Sequence, residues 1–295
     1  MHIKKSLSVL LALALVGAGC GDVPANEGSK ANVDSTTNHQ MTISPAVQSA
    51  ASFLTWEGTF SPKKGDNTFI FSLRDATGKI LESDDLLLEQ EKKIHLILVK
   101  DDLSGFQHLH PEPGRTGWVI STKLPESGDY RLYFDYQPIN GARTVLLATM
   151  TVPGLAKTSA LPANVDTRMA KSGAITAALV DVPTTIMAGV NTKLTLQLSQ
   201  GSQRVQEIGP YLGAFGHVVI LSSDSAQEYL HVHPLTDRQP EDGRVQFETS
   251  FPKAGTYVAY GQFNIGGALQ VFPFTLAVST STSSVETAMP MNHHH

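Results

Sequence analysis

Two stretches of this chain decide its fold: IHLILVKDDLSGFQHLHP, residues 94–111, and GHVVILSSDSAQEYLHVHP, residues 216–234. Each contains an apolar run rich in Val, Ile and Leu, then a polar turn, then a His-x-His-Pro segment. Apolar runs bounded by Asp, Ser and Gly are typical of β-strands joined in a hairpin. The same order of features, found twice in one chain, indicates a tandem duplication.

The segments that follow these hairpins also repeat in the same order. GWVISTKLP (117–125) corresponds to GRVQFETSFP (243–252), and ESGDYRLYFDYQ (126–137) corresponds to KAGTYVAYGQFN (253–264). DDLLLEQEKK (84–93) is the only helix-like run. With about seven strands in each unit, we predict an all-β chain of two tandem β-sandwiches of the immunoglobulin or fibronectin type, with a cupredoxin-like sandwich as the alternative.

A Gly-x-Tyr sequence precedes one strand in each unit, with Tyr130 in the first and Tyr257 in the second. This pattern resembles the tyrosine corner at the start of strand F in immunoglobulin-like sandwiches. It predicts that Leu132 and Ala259, two residues further on, point into the cores. Counting back along the first unit, IHLILV becomes strand C, FQHLHP becomes C′ and GWVISTKL becomes E.

The N-terminus indicates export. MHIKKSLSVLLALALVGAGC has a positive start, an apolar run too short to span a membrane, and small residues before Cys20. We predict lipidation of Cys20, because a lone exposed thiol is a liability in an exported protein. The predicted segments are a signal peptide (1–19), a lipidated tether (20–48), the first repeat (49–153), a linker (154–173), the second repeat (174–279) and a disordered tail (280–295).

The predicted location is the outer face of the cytoplasmic membrane, the periplasm or the outer membrane. The formal net charge is −5, from 22 basic and 27 acidic residues. This balance gives no basic footprint for nucleic acid. The membrane is therefore predicted as a partner only through the lipid anchor, and the sequence indicates no particular protein partner.

Histidine is concentrated in the repeated unit. Of 11 histidines in the chain, those in the two repeats are His95, His108, His110, His217, His231 and His233. We call the first three of these the first His group and the last three the second His group. A His-x-His pair on a strand places both imidazoles on one face. A hairpin that pairs His95 with His108 or His110 brings the third imidazole to the same face, and the second repeat allows the same arrangement.

Strand F should supply an oxygen atom near each group. Strand F runs antiparallel to C, so its end lies beside the start of C, where Asp135 and Gln262 occur with parity opposite to that of the core residues. We predict that Asp135 completes a His3Asp site in the first repeat. Gln262 is predicted to be a weaker oxygen ligand, or a partner that orients a ligand, in the second.

These residue types indicate a metal ion. Imidazole suits copper, zinc, nickel and iron, and three imidazoles with one oxygen make a four-coordinate site. Copper is the favoured ion and zinc the alternative, because thioethers lie beside imidazoles at His39 and Met41 and in the tail at Met289 and Met291. The competing interpretation is a hydrogen-bonded histidine ladder at the end of a sheet, without metal.

The spacing of Asp-Leu-Ser-x-Phe-x-His-Leu-His-Pro-Glu and Gly-x-Tyr-Arg-Leu-x-x-Asp in the first repeat resembles a family of exported bacterial proteins with His-x-His-Pro repeats. That resemblance implies no activity. A looser likeness is to periplasmic copper carriers built on small β-sandwiches. The predicted function is a lipid-anchored metal-binding protein for storage, sequestration or delivery; the alternative is a metal-free surface interaction or adhesion module.

The sequence favours a protein that is not an enzyme. It contains no evident Ser-His-Asp elbow and no phosphate-binding Gly loop. Three histidines with an open position would permit metal-assisted hydrolysis. However, Glu112 is the only candidate for a general base beside the predicted cluster.

Overall fold

The structure, a computed structural model, describes residues 52–58, 60–156, 166–224 and 228–280. All of these residues belong to one compact unit. The predicted signal peptide, Cys20, the tether, residues 157–165 of the predicted linker and the tail after its first residue lie outside the described residues. Within the described residues, no helix is long and apolar enough to cross a membrane.

Within its described residues, the first repeat contains eight strands and one 3-10 turn at Ser83–Asp85. The strands are β1 (Ser52–Trp56), β2 (Gly65–Asp75), β3 (Ile94–Lys100), β4 (Gln107–Leu109), β5 (Glu112–Pro113), β6 (Trp118–Leu124), β7 (Gly128–Tyr136) and β8 (Thr144–Val152). The helix-like run 84–93 does not form an α-helix, and only its first two residues belong to that 3-10 turn. Gln90 and Glu91 have φ values of 44° and 65°, which an α-helix does not contain.

The second repeat, within its described residues, contains ten strands and a 3-10 turn at Glu241–Gly243. The strands are β9 (Met169–Ser172), β10 (Ile175–Val180), β11 (Ile186–Met187), β12 (Asn191–Gln200), β13 (Gln203–Arg204), β14 (His217–Ser222), β15 (Tyr229–Val232), β16 (Arg244–Ser250), β17 (Gly255–Ile265) and β18 (Ala268–Ser279).

Each repeat is a sandwich of two sheets. In the first repeat, the sheet with order β1-β2-β6-β5 packs on the sheet with order β4-β3-β7-β8. In the second repeat, β13-β12-β10-β9, with β16 beside β12, packs on β11-β18-β17-β14-β15. Strands β3, β4, β6 and β7 therefore occupy positions C, C′, E and F, as predicted. This is the immunoglobulin or fibronectin arrangement, not the cupredoxin-like alternative.

Each sandwich has its own apolar core. Phe71 of β2 lies against Phe134 of β7, with ring centroids 4.9 Å apart, in the first core. Leu132 belongs to the same core and Ala259 to the second, as predicted. Burying each large side chain of this kind contributes about 1.5–3 kcal/mol, so the two cores are the main stabilisation of the repeats.

Both predicted tyrosine corners are present. The Tyr130 hydroxyl donates a hydrogen bond to the Glu126 carbonyl at 2.8 Å. The Tyr257 hydroxyl donates to the Lys253 carbonyl at 2.9 Å. In both cases the hydroxyl reaches back four residues, which fixes the turn that leads into strand F.

A third apolar layer lies between the repeats, where the outward faces of the two C–F sheets pack against each other. Its buried residues are Ile97, Val99, Leu103, Tyr133, Val219, Leu221, Tyr229, Val258 and Tyr260. Tyr260 stacks on Phe106 with ring centroids 4.1 Å apart, and its hydroxyl donates to the Leu103 carbonyl. Every residue of β3 and of β14 is buried for this reason.

Candidate metal centre

The strand register brings each His group to one face. In the first repeat Ile97 of β3 pairs with His108 of β4, and His95 lies two residues before Ile97. Paired residues on antiparallel strands share a face, and so do residues two apart along one strand. In the second repeat the equivalent pair is Val219 and His231. The face in question is the outward one, at the edge of the layer between the repeats.

The six predicted histidines meet in two groups of three. The candidate ligand atoms of the first His group lie within 4.8 Å of one another, and so do those of the second. His95, His217 and His231 are at most 2% exposed, whereas the other three histidines are only partly buried. Because His110 and His233 are partly exposed, each group has a side open to solvent.

Backbone carbonyls fix the protons of the two innermost imidazoles. His95 Nε2 lies 3.0 Å from the Glu89 carbonyl oxygen, and His217 Nε2 lies 2.8 Å from that of Tyr211. A carbonyl only accepts hydrogen bonds, so the proton of each imidazole is on Nε2. The Nδ1 lone pair of each ring then points into its own His group.

The central imidazole of each group is held by the opposite repeat. His231 Nδ1–H donates to Asp135 Oδ2 at 3.1 Å, and His108 Nδ1–H donates to Gln262 Oε1 at 3.0 Å. A hydrogen bond from the outer ring nitrogen to an oxygen is the usual way in which a protein orients a metal-binding histidine. The Nε2 lone pairs of both rings are thereby directed inward.

The structure thus places Asp135 and Gln262 differently from the predicted ligand sets. Asp135 pairs with His95 and Gln262 pairs with His217 along the strands, as predicted. Their side chains nevertheless extend across the interface to a histidine of the other repeat. Asp135 is not placed as a fourth ligand of the first His group, because its carboxylate is held by Arg143 of its own repeat and by Tyr229 and His231 of the second.

The inward nitrogens have few partners within the protein. Among the described residues, the buried ring nitrogens without a hydrogen-bond partner include His110 Nε2, His217 Nδ1, His231 Nε2 and His233 Nε2. A hydrogen-bonded ladder would satisfy such atoms. A metal ion needs them bare, so the donor set fits a cation.

The distance between two ring nitrogens in the first His group also fits a bound cation. His95 Nδ1 lies 3.0 Å from His108 Nε2, and the outward protons leave a lone pair on each. Ligand nitrogens around a tetrahedral ion with bonds of about 2.0 Å lie about 3.3 Å apart. The spacing of the two nitrogens therefore fits a shared cation, and a shared proton is the alternative.

Burial keeps the imidazoles neutral. It lowers the pKa of His110 and of His233 to about 3 and that of His217 to about 4. Burial also lowers the pKa of His95, and it lowers those of His108 and His231 well below the usual value. Neutral imidazole is the form that binds a metal, so all six rings are ready to do so at pH 7.

Asp135 is an ionised carboxylate inside the protein. Burial alone would raise its pKa, but Arg143 and the hydrogen bond from His231 outweigh this and hold the pKa well below its usual range. Arg143 Nη2 donates to Asp135 Oδ2 at 2.5 Å, and the Tyr229 hydroxyl donates to the same oxygen at 2.9 Å. Arg143 Nη2 also lies 3.2 Å from His231 Nδ1. Arginine has no acceptor, so the proton of Nδ1 goes to Asp135.

Sequence reasoning missed four residues of this centre. Arg143 and Tyr229 hold Asp135, and the carbonyls of Glu89 and Tyr211 hold two imidazoles. Tyr229 had a sequence signal, since it is the aromatic residue of the second aromatic-x-His-x-His-Pro motif. The others lie in loops, or beside a strand in the case of Arg143, and no motif marks them.

The comparisons with known proteins assign a family and no activity. A family model described as "Domain of unknown function (DUF8832)" matches residues 52–154 and again 173–280, in agreement with the tandem repeat. No curated protein matches the chain.

Several solved structures match at low identity. Clostridium thermocellum CbhA fibronectin(III)-like modules are 11% identical with a TM-score of 0.22, covering 82% of this chain and 100% of that one. Salmonella alpha-2-macroglobulin is 11% identical with a TM-score of 0.23, covering 79% and 15%. Invasin, a bacterial integrin-binding protein, is 15% identical with a TM-score of 0.22, covering 78% and 39%. The chain thus spans only a small part of the last two proteins.

Proposed function

The chain belongs to the family described as "Domain of unknown function (DUF8832)", and from that premise we propose that it is a metal-binding protein that works outside the cytoplasm. The first and second His groups each hold one ion. Copper is the favoured ion and zinc the alternative. The sites serve to store, sequester or deliver the metal.

The observation that carries this proposal is the direction of the ring nitrogens. In both groups, oxygen atoms of the protein hold outer N–H groups. Among the described residues, buried ring nitrogens without partners are His110 Nε2 in the first group and His217 Nδ1, His231 Nε2 and His233 Nε2 in the second. An unpartnered buried polar group costs about 1–3 kcal/mol. Four such nitrogens in one cluster are therefore expensive for folding alone and are explained by a cation.

The cellular location rests on the sequence. The apolar N-terminal segment and Cys20 support export and a lipid anchor, and three acyl chains on one residue would hold the protein firmly at a membrane surface. The preference for copper rests on the thioethers near His39 and in the tail, because Met suits Cu(I) and not zinc. These residues lie outside the described residues.

Catalysis is not part of the proposal. The matched family carries no catalytic assignment. The buried carboxylate at the centre, Asp135, is engaged by Arg143, Tyr229 and His231. It is therefore poorly placed to act as a general base.

A calorimetric titration of the full chain with Cu(II) and with Zn(II) tests the proposal. His293, His294 and His295 are changed to Ala in every sample, so that the terminal histidines do not contribute. We expect two equivalents for the parent chain and one for each variant in which a single His group is changed to Ala.

The variant without both His groups provides the control. Unchanged binding in that variant would contradict the proposal. The absence of binding in the parent chain would favour the metal-free interaction module instead.

A further inference from the structure

The two His groups are continuous across the interface between the repeats. The His95 and His231 rings have centroids 5.0 Å apart, and the His108 and His231 rings 5.4 Å apart. Within the groups, neighbouring rings are between 4.7 Å and 5.7 Å apart. Rings of different repeats are thus as close as rings of the same group, so the six imidazoles make one cluster.

This continuity limits the separation of two bound ions. A metal ion lies about 2.0 Å from the nitrogen that binds it and about 3.1 Å from the centroid of that ring. The ion on His95 and the ion on His231 are therefore at most about 11 Å apart. This limit is the 5.0 Å separation of the two rings plus twice the distance of about 3.1 Å from an ion to its ring centroid.

We infer that the two groups form a single binuclear centre, with one cation from each repeat close enough to interact magnetically with the other. This inference rests on the proposed metal-binding function. It goes beyond that function because two separate sites, one in each sandwich, would bind metal equally well without any coupling.

The hydrogen bonds that orient the ligands support one shared centre. Asp135 of the first repeat holds His231 of the second, and Gln262 of the second holds His108 of the first. Each group thus takes the orientation of its central ligand from the other repeat. The orientation of each ligand set therefore depends on the packing of the two repeats against each other.

The interface is built to keep that packing fixed. Next to the cluster, Tyr133 and Tyr229 of different repeats stack with centroids 5.4 Å apart. Tyr211 of the second repeat lies against both groups, with its ring 6.4 Å from that of His108 and 5.4 Å from that of His217. Aromatic pairs prefer defined geometries, so these contacts favour one separation of the two groups.

Electron paramagnetic resonance of the full chain with Cu(II) tests the inference, with the three terminal histidines changed to Ala. At two equivalents we expect a spectrum broadened by dipolar coupling. The matched controls are two variants, each with one His group changed to Ala. Each should bind one equivalent and give an uncoupled spectrum.

A second pair of variants keeps the test valid if triple replacements prevent folding. His110→Ala and His233→Ala each change one partly exposed ligand, one in each group. Either change should weaken the binding of one ion. At the same concentration of added copper, the coupled signal should therefore be smaller.

The outcomes separate the two proposals. Two bound ions with uncoupled spectra, or a single ion per chain, would overturn the binuclear centre and leave metal binding intact. No bound ion at all would overturn both.

Discussion

Replacement of Asp135 by Asn tests how the second His group is held. Asp135 is 1% exposed and accepts hydrogen bonds from Arg143, Tyr229 and His231. Asn has nearly the same shape but no charge. It leaves the Arg143 guanidinium, whose side chain is 25% exposed, without its counter-ion.

The expected loss of stability follows from the burial of this pair. Removing one member of a buried ion pair costs about 3–5 kcal/mol. Because Arg143 is partly exposed, we expect about 3 kcal/mol. In a chain of this size each kcal/mol lowers Tm by about 2–4 °C, so Tm should fall by about 6–12 °C.

Thermal unfolding of the metal-free protein, followed by circular dichroism, measures this loss. The matched control is Asp135→Asn combined with Arg143→Met, which removes both charges. Because replacing both members of a buried pair is often nearly neutral, the double variant should recover most of the lost stability. A loss below about 1 kcal/mol for Asn alone, or a double variant no more stable than the single one, would show that the buried charge pair does not stabilise the surroundings of His231.

Two further predictions concern stability. In the metal-free folded protein, the histidines with pKa values of about 3 to 4 stay neutral at mildly acidic pH. In the unfolded chain the same histidines take up protons below about pH 6.5. Stability should therefore be complete above about pH 6.5 and fall from there to about pH 3, by about 2 kcal/mol for each such histidine at pH 5. Urea unfolding across this range measures the slope, and a flat profile would contradict the buried neutral cluster. Tyr257→Phe removes the hydrogen bond to the Lys253 carbonyl and should lower the free energy of unfolding by about 1 kcal/mol. Tyr130→Phe should cause the same loss in the first repeat. An unchanged free energy of unfolding in both variants would argue against a structural role for the tyrosine corners.

The fold could be predicted from the sequence because its signals are local. Apolar runs separated by turn residues mark the strands, and Tyr130 and Tyr257 identify strand F in each repeat. Residue parity then assigns the core face, as Leu132 and Ala259 show. The same parity brings His95, His108 and His110 together, because side chains alternate along a strand and the hairpin sets their pairing.

The pairing between the repeats could not be predicted in the same way. Nothing in the residues around Asp135 indicates that its carboxylate crosses to His231 and not to His95, the residue beside it on the neighbouring strand. One signal was present: strands β3 and β14 are apolar at consecutive positions, which is typical of strands covered on both faces. That pattern indicates a covering layer but not which element supplies it.

The metal content of the purified chain tests metal binding most directly. The full chain, with its three terminal histidines changed to Ala, is purified without a nickel column and analysed for its elements, then dialysed against Cu(II) and analysed again. Taking each three-histidine group as one site with three protein ligands, we expect about two metal ions per chain. Changing either group to Ala should remove one ion. A parent chain that holds no ion before or after dialysis would contradict the metal centre and leave the unpartnered imidazoles without a cause.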